Sequence, residues 1–331
     1  MSSRPTRDDV RALAIEILRG KPDPAVRVRF LRDVLRVGRD DERLCAARAT
    51  LDDSGHVAGL RDEQRADGSW GRLHSRDTRS PQLVKTTEWA VERALALGLE
   101  ASHPLLAAAC VHLASVVEGQ AAVSDPAERN DRWATGLRLF AAATLSRIDP
   151  QHSSLDSVWD LWHEIARRAF VGGTYDPDQE AAAHVDLTGA SVRGTYLVLC
   201  NRYALLLLGA RAELMDAELR RAIAFWVGRD RDGIGYYGLP LGSPPDELTP
   251  GLLERFLQSH EVLAPFGAGA AATGPLVDWL GEHRRPDGLW DLGPRVSWTS
   301  QLPLAESWRR ADARAVDWTV RVLALLTRWL D

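Results

Sequence analysis

Cysteine is scarce in this chain of 331 residues: Cys45, Cys110 and Cys200 stand alone, with no Cys-x-x-Cys pair and no histidine at ligand spacing. A disulfide framework and a structural zinc site are both excluded on that ground. Basic residues are not in excess either. The 41 Lys and Arg face 46 Asp and Glu, for a net charge of −5, so the electrostatic footprint of a nucleic-acid binder is missing. Long apolar runs are lacking as well. Asn201 and Arg202 interrupt Tyr196–Ala210, and Ala264–Leu276 is short and rich in Gly and Ala, so neither is expected to cross a bilayer. Met1–Asp9 is polar and carries no apolar signal core, which predicts a cytoplasmic protein. Runs of alternating β-branched residues are absent, which argues against a sheet.

What is present is helical period. Apolar residues make up 45% of the chain and charged residues 26%, the balance of an ordinary folded protein. Arg is abundant but alternates with acids, as in Arg36–Arg43, and reads as solvated helix face. Thr6 precedes Val10, Leu13, Ile17 and Leu18 and a stop at Gly20; Asp23-Pro24 opens a second helix ending near Gly38. Further helices are predicted at about 40–52, 84–98, 102–118, 130–147, 153–169, 187–209, 216–227, 249–262, 274–283 and 311–330. The fold class is all-α.

A repeat runs through the connections. Asp67-Gly68-Ser69-Trp70, Asp232-Gly233-Ile234-Gly235-Tyr236 and Asp287-Gly288-Leu289-Trp290 share Asp-Gly followed by an aromatic residue. Asp67 and Asp232 lie 165 residues apart, Asp232 and Asp287 lie 55 apart, and six periods of 55 nearly fill the chain. In such a turn Asp binds backbone amides, Gly supplies positive φ, and the aromatic ring covers the turn. The register predicts about six helical hairpins closed in a ring over residues 1–331, with the N-terminal helices of about 6–52 packing on or completing it.

These residues carry a resemblance. Gln64-Arg65-Ala66-Asp67-Gly68-Ser69-Trp70 resembles the QW motif of squalene–hopene cyclases, and Arg285–Trp290 resembles a second copy with His283 or an Arg in the Gln position. Lys85-Thr86-Thr87-Glu88-Trp89-Ala90 and Asp312–Leu330 are similar to the inner helices of that superfamily. The resemblance implies the α/α-toroid shared by triterpene cyclases and protein prenyltransferase β-subunits, here with one ring. The 55-residue register predicts inner helices starting near 85, 131, 187, 249 and 311. The class II protonating motif of such cyclases is similar to His184-Val185-Asp186-Leu187-Thr188-Gly189, with Asp186 in the donor position. His184 and Leu187 replace two of its acids, so His184 is expected to modulate Asp186. The alternative for Asp186 is a helix cap.

Other candidates are weighed against plainer roles. Glu88 with Trp89, Arg132 with Trp133, and Asp317 with Trp318 pair a charge with an indole; facing a cavity they would suit a cationic intermediate or a planar substrate, and between hairpins they are packing. Arg193 and Tyr196 follow Asp186 on the predicted 187–209 helix and join the expected substrate-binding set. Asp176, Asp178 and Glu180 form an acidic loop that is either solvated surface or the carboxylate set of a metal or glycan site. The motif that binds diphosphate-linked magnesium in class I terpene synthases is missing, and no segment matches the prenyltransferase zinc site, so neither metal nor other cofactor is expected. The leading expectation is an enzyme that cyclises or isomerises a mostly apolar small molecule by acid initiation, with Asp186 as donor. A glycan lyase or hydrolase on a helical barrel, and a non-catalytic toroid binding a peptide or small ligand, are the alternatives. A deep cavity with converging carboxylates separates the enzymes from the binder.

Overall fold

Local capping sets most helix starts in the computed structural model, which describes residues 5–191, 196–229, 232–242, 250–267, 270–294, 301 and 303–329. Thr6 and Asp9 form a reciprocal capping box at α1 (Arg7–Arg19), Pro24 opens α2 (Pro24–Arg29), and Asp41 and Ser54 cap α3 (Glu42–Asp52) and α4 (Gly55–Glu63). Thr86 caps α5 (Thr87–Leu97), His103 caps α6 (Pro104–Val117), and α7 (Trp133–Ile148) and α8 (Asp156–Ala169) follow. A two-stranded hairpin, β1 (Phe170–Val171) and β2 (Thr174–Tyr175), turns at Gly172 and Gly173, both at positive φ. Then come α9 (Pro177–Thr188), α10 (Arg202–Gly209), α11 (Ala217–Val227), α12 (Pro250–Leu263), α13 (Ala270–Glu282) and α14 (Ala311–Trp329). Helix accounts for 60% of the structure, so the all-α reading holds.

One expected helix is wrong in place and direction. The chain does not form a helix over 187–209. Asp176 caps α9, with Pro177 in its first turn, and Gly189 in the left-handed region ends it. Asn201 then caps α10 by accepting from the amides of Tyr203 and Ala204. Asp176-Pro177 starts a helix where its acidic neighbours suggest a loop, and Thr188-Gly189 ends a helix where the motif suggests a start.

Burial sorts the helices into two kinds. α8 is strongly one-sided, burying Val158, Trp159, Trp162, Ile165 and Ala166 while its other face carries charge. α7 and α10 are apolar around most of their circumference and are buried accordingly, and α14 is buried throughout Asp317–Thr327 although it carries charged residues. α5, α12 and α14 also bury polar groups, among them Glu88, Glu92, Arg93, Glu254, Gln258, Asp317 and Arg321. α5 packs on α7, α7 on α10, and α10 on α12, while α6 lies against α7 and α9 against α8. α14 packs against α1, α2 and the wide helical turn Phe30–Val34, and α2 also meets α5. Arg321 of α14 reaches Glu254 at 3.5 Å and Glu261 at 3.2 Å on α12. One apolar cluster runs from Val10 to Leu326.

The two tryptophan turns are superimposable in their bonding. The Trp70 amide donates to Thr87 Oγ1 at 2.9 Å and its indole to the Leu60 carbonyl at 2.7 Å. Trp290 repeats both, to Thr319 Oγ1 at 2.9 Å and Leu280 O at 2.7 Å. Gln64 Nε2 donates to Gly68 O in the first turn, and Arg284 Nε donates to Gly288 O in the second, so Arg284 occupies the Gln position. Gly68 and Gly288 sit at φ 85° and 83°. A Cβ on Gly68 would lie 2.3 Å from the Ala108 carbonyl oxygen. Both indoles are buried.

Candidate functional site

Two short bridges of extended backbone build the site. Thr86, just before α5, pairs with Gly71 and Arg72 beyond the first tryptophan turn, and Asn201, just before α10, pairs with Gly235 in the second Asp-Gly turn. Side chains immediately past each bridge converge. They are His74 and Glu88 from the first bridge, and Tyr203, Tyr236 and Tyr237 from the second. With Trp89, Glu92, Arg202, Glu254 and Gln258 they line a cavity of about 200 Å³.

Glu88 is the hub. Its Oε2 lies 2.9 Å from His74 Nδ1, its Oε1 accepts from the Tyr203 hydroxyl at 2.6 Å, and Arg202 Nη1 stands 3.3 Å away. Arg202 also pairs with Glu92. Burial pushes the Glu88 carboxyl up, but His74, Arg202 and Tyr203 outweigh it and hold the group below its ordinary value. Burial and the neighbouring Glu88 charge raise the Tyr203 phenol well above its ordinary value, so it stays a neutral donor. Tyr236 is raised too, by burial and by nearby Tyr196, Glu88 and Glu128.

A carboxylate on Nδ1 fixes the imidazole with its proton on that atom and leaves the lone pair on Nε2. Nε2 of His74 has no hydrogen-bond partner among the described residues. The ring stacks on Phe140 at 4.1 Å, and Tyr203 and Tyr236 meet it edge-on at 5.5 Å and 5.9 Å. The Tyr236 hydroxyl has no hydrogen bond among the described residues, and its backbone sits at φ 74°, an unusual cost for a bulky residue. The arrangement supplies a base at Nε2, a neutral phenolic donor at Tyr236, and aromatic walls.

Three of the expected site residues are here or beside it. Glu88 and Trp89 line the cavity, and Tyr196 extends the aromatic wall by stacking on Phe140 at 5.7 Å while donating to Glu128 at 3.3 Å. Arg193 lies outside the described residues. Trp133 is half-buried at the start of α7 and lines no cavity among those described. Asp317 is buried elsewhere, accepting from the amides of Leu304 and Ala305 and from the Trp308 indole, and Trp318 donates to Gly293 O at 2.9 Å. Both hold the loop before α14 in place.

The structure does not bring Asp186 and His184 together. Asp186 is exposed in the last turns of α9 and bridges to Arg168 at 2.6 Å, whereas His184 is buried against Trp162 with Glu180 at 3.6 Å. Two residues apart on a helix, they face different ways. The acidic loop does not gather its carboxylates either. Asp176 is a cap, Asp178 is exposed, and buried Glu180 accepts from the Tyr175 hydroxyl and the Leu199 amide. Among the described residues no three His, Cys, Asp or Glu are grouped to hold a metal.

Sequence reasoning missed His74, Tyr203, Arg202 and Tyr236. The available signal was the Asp-Gly turn itself: the extended residues after it pair with the residues just before a buried helix, and such positions point inward. Comparisons of the chain with protein-family models, curated proteins and solved structures return no match.

Proposed function

We propose that this protein is an enzyme that moves a proton on a mostly apolar small molecule, performing an isomerisation or a cyclisation that begins with proton transfer. The observation that carries the reading is the Glu88–His74 pair at an aromatic-walled cavity, with no hydrogen-bond partner for His74 Nε2 among the described residues. In this mechanism Nε2 takes a proton from carbon next to a substrate carbonyl, Tyr236 donates a hydrogen bond to the oxygen as charge builds there, and the imidazolium returns the proton to another atom. No net oxidation occurs. An imidazolium is too weak an acid to protonate an isolated alkene, so activated substrates are favoured over plain polyenes. The cavity is below the roughly 300–1,000 Å³ typical of drug-sized ligands, which favours a compact substrate over a C30 chain.

The fold reading behind this is a single ring of helical hairpins. Supporting it are the matched tryptophan turns 220 residues apart, four periods of 55, and the succession of buried helices α5, α7, α10 and α12, with α14 tied to α12 by Arg321. The resemblance to squalene-cyclase-like toroids rests on the same turns. Glu88 and Glu92 are both engaged by Arg202 rather than standing as a free pair, which favours imidazole chemistry over glycan cleavage. Cys45, Cys110 and Cys200 form no disulfide among the described residues, in keeping with a reducing compartment.

The test is isotope exchange. The protein is incubated in deuterium oxide with an apolar small-molecule extract of its own cells, and mass spectra are compared with those from His74→Gln and Glu88→Gln. The reading expects a compound that gains deuterium or changes retention with the native protein, with exchange slower by at least ~10²-fold in His74→Gln. Equal exchange by the variant, or none with any compound, contradicts it.

A further inference from the structure

At the other end of the same buried helices lies a second cavity, of about 360 Å³, bounded by the last turns of α5 and α7, the end of α10, and α12 and α14. Five arginines line it: Arg29, Arg32, Arg147, Arg321 and Arg328. Only Asp33 and Glu261 oppose them on its wall, leaving three positive charges, or two when Glu254 behind Arg321 is counted.

The arginines are not equally occupied. Arg29 and Arg32 bind Asp33 and the carbonyls of Ala96 and Gly98, completing the end of α5. Arg321 is shared between Glu254 and Glu261. Among the described residues, half-buried Arg147 and exposed Arg328 have neither a hydrogen bond nor an ion pair. Glu261 lies amid four guanidiniums: burial raises its carboxyl, yet Arg321, Arg328, Arg29 and Arg147 prevail and hold it below its ordinary value. One carboxylate does not balance such a set. Guanidiniums repel when gathered in a half-buried space, and planar N–H forks match tetrahedral oxyanions.

We propose that this arginine chamber is a binding site for a small phosphate-type anion of two or more charges, with Arg147 and Arg328 as its free donors. Tyr237 and Gln258 line both this chamber and the one holding His74, so the two adjoin within the same set of helices. The site does not depend on the proton-transfer reading, because its argument uses none of His74, Glu88 or Tyr236.

Isothermal titration with pyrophosphate and with inorganic phosphate, at constant ionic strength held by chloride, tests it. We expect one saturable site, with affinity at least ~10-fold lower in Arg147→Gln/Arg328→Gln and unchanged in His74→Gln. A second measurement guards against misfolding of the variant. In chloride alone the double variant should still melt cooperatively, as a folded protein does, and added pyrophosphate should raise the native melting temperature only. Failure of both anions to bind at millimolar concentration, or equal affinity in the double variant, overturns the proposal.

Discussion

At the scale of single residues, environment separates groups of the same type. His74 is partly exposed beside a carboxylate, whereas His184 and His260 are enclosed. Diethyl pyrocarbonate should therefore modify His74 early and leave His184 and His260 intact until unfolding, as read by peptide mass mapping; preferential labelling of His184 would contradict the placement. Asp186 makes the opposite case. Its exposed bridge to Arg168 is worth less than ~1 kcal/mol, so Asp186→Asn should leave both melting temperature and isotope exchange almost unchanged. A collapse of exchange in that variant would restore the donor role to Asp186. The resemblance of Val185-Asp186-x-Thr188-Gly189 to a protonating segment was local, and four residues do not encode whether a helix starts or ends there. Asp176-Pro177 upstream decides it.

Among the elements, the tryptophan turns were legible because their chemistry is contained in a short segment. Asp67 binds the Ser69 amide, Gly68 takes positive φ, and Trp70 reaches back to Leu60, all within eleven residues. Trp70→Ala and Trp290→Ala should each lose roughly 3–5 kcal/mol, measured by denaturant melts, because each leaves a large void and an unpaired carbonyl. Gly68→Ala should also destabilise strongly, since the new methyl meets Ala108 O, while Gly119→Ala, at φ 72° in open space, should cost far less. Equal costs at the two glycines would mean that φ, not close approach, governs the first turn. The site was less legible than these turns. Glu88 and Trp89 carried a signal because they follow a strong cap at Thr86, but His74 and Tyr236 lie on irregular chain whose direction depends on backbone pairing across the fold.

Over the whole molecule, buried ionisable groups shape the pH range of stability from both sides. Burial lowers His260 to about 3, so the folded chain keeps it neutral while the unfolded chain takes up a proton below about 6.5. Its contribution is present above that pH and is lost, by about 3–5 kcal/mol, as pH falls toward 3. Asp317 runs the other way: burial raises it to about 6, so its contribution is complete below about 4 and about 3 kcal/mol is lost as pH rises through 6. Denaturant melts from pH 4 to 8 should show the acid-side fall reduced in His260→Leu and the neutral-side fall reduced in Asp317→Asn; identical profiles for native and variant proteins would contradict these assignments. Helix content followed from periodicity, but the convergence of residues 74, 88 and 203 is a property of the assembled fold, and the account rests on it. Nitrogen-15 spectra of the His74 imidazole in its neutral form test it most directly. The structure predicts a proton on Nδ1, held by Glu88, with Nε2 unprotonated, and loss of that preference in Glu88→Gln. A proton on Nε2 in the native protein, or a tautomer indifferent to Glu88→Gln, would contradict the account.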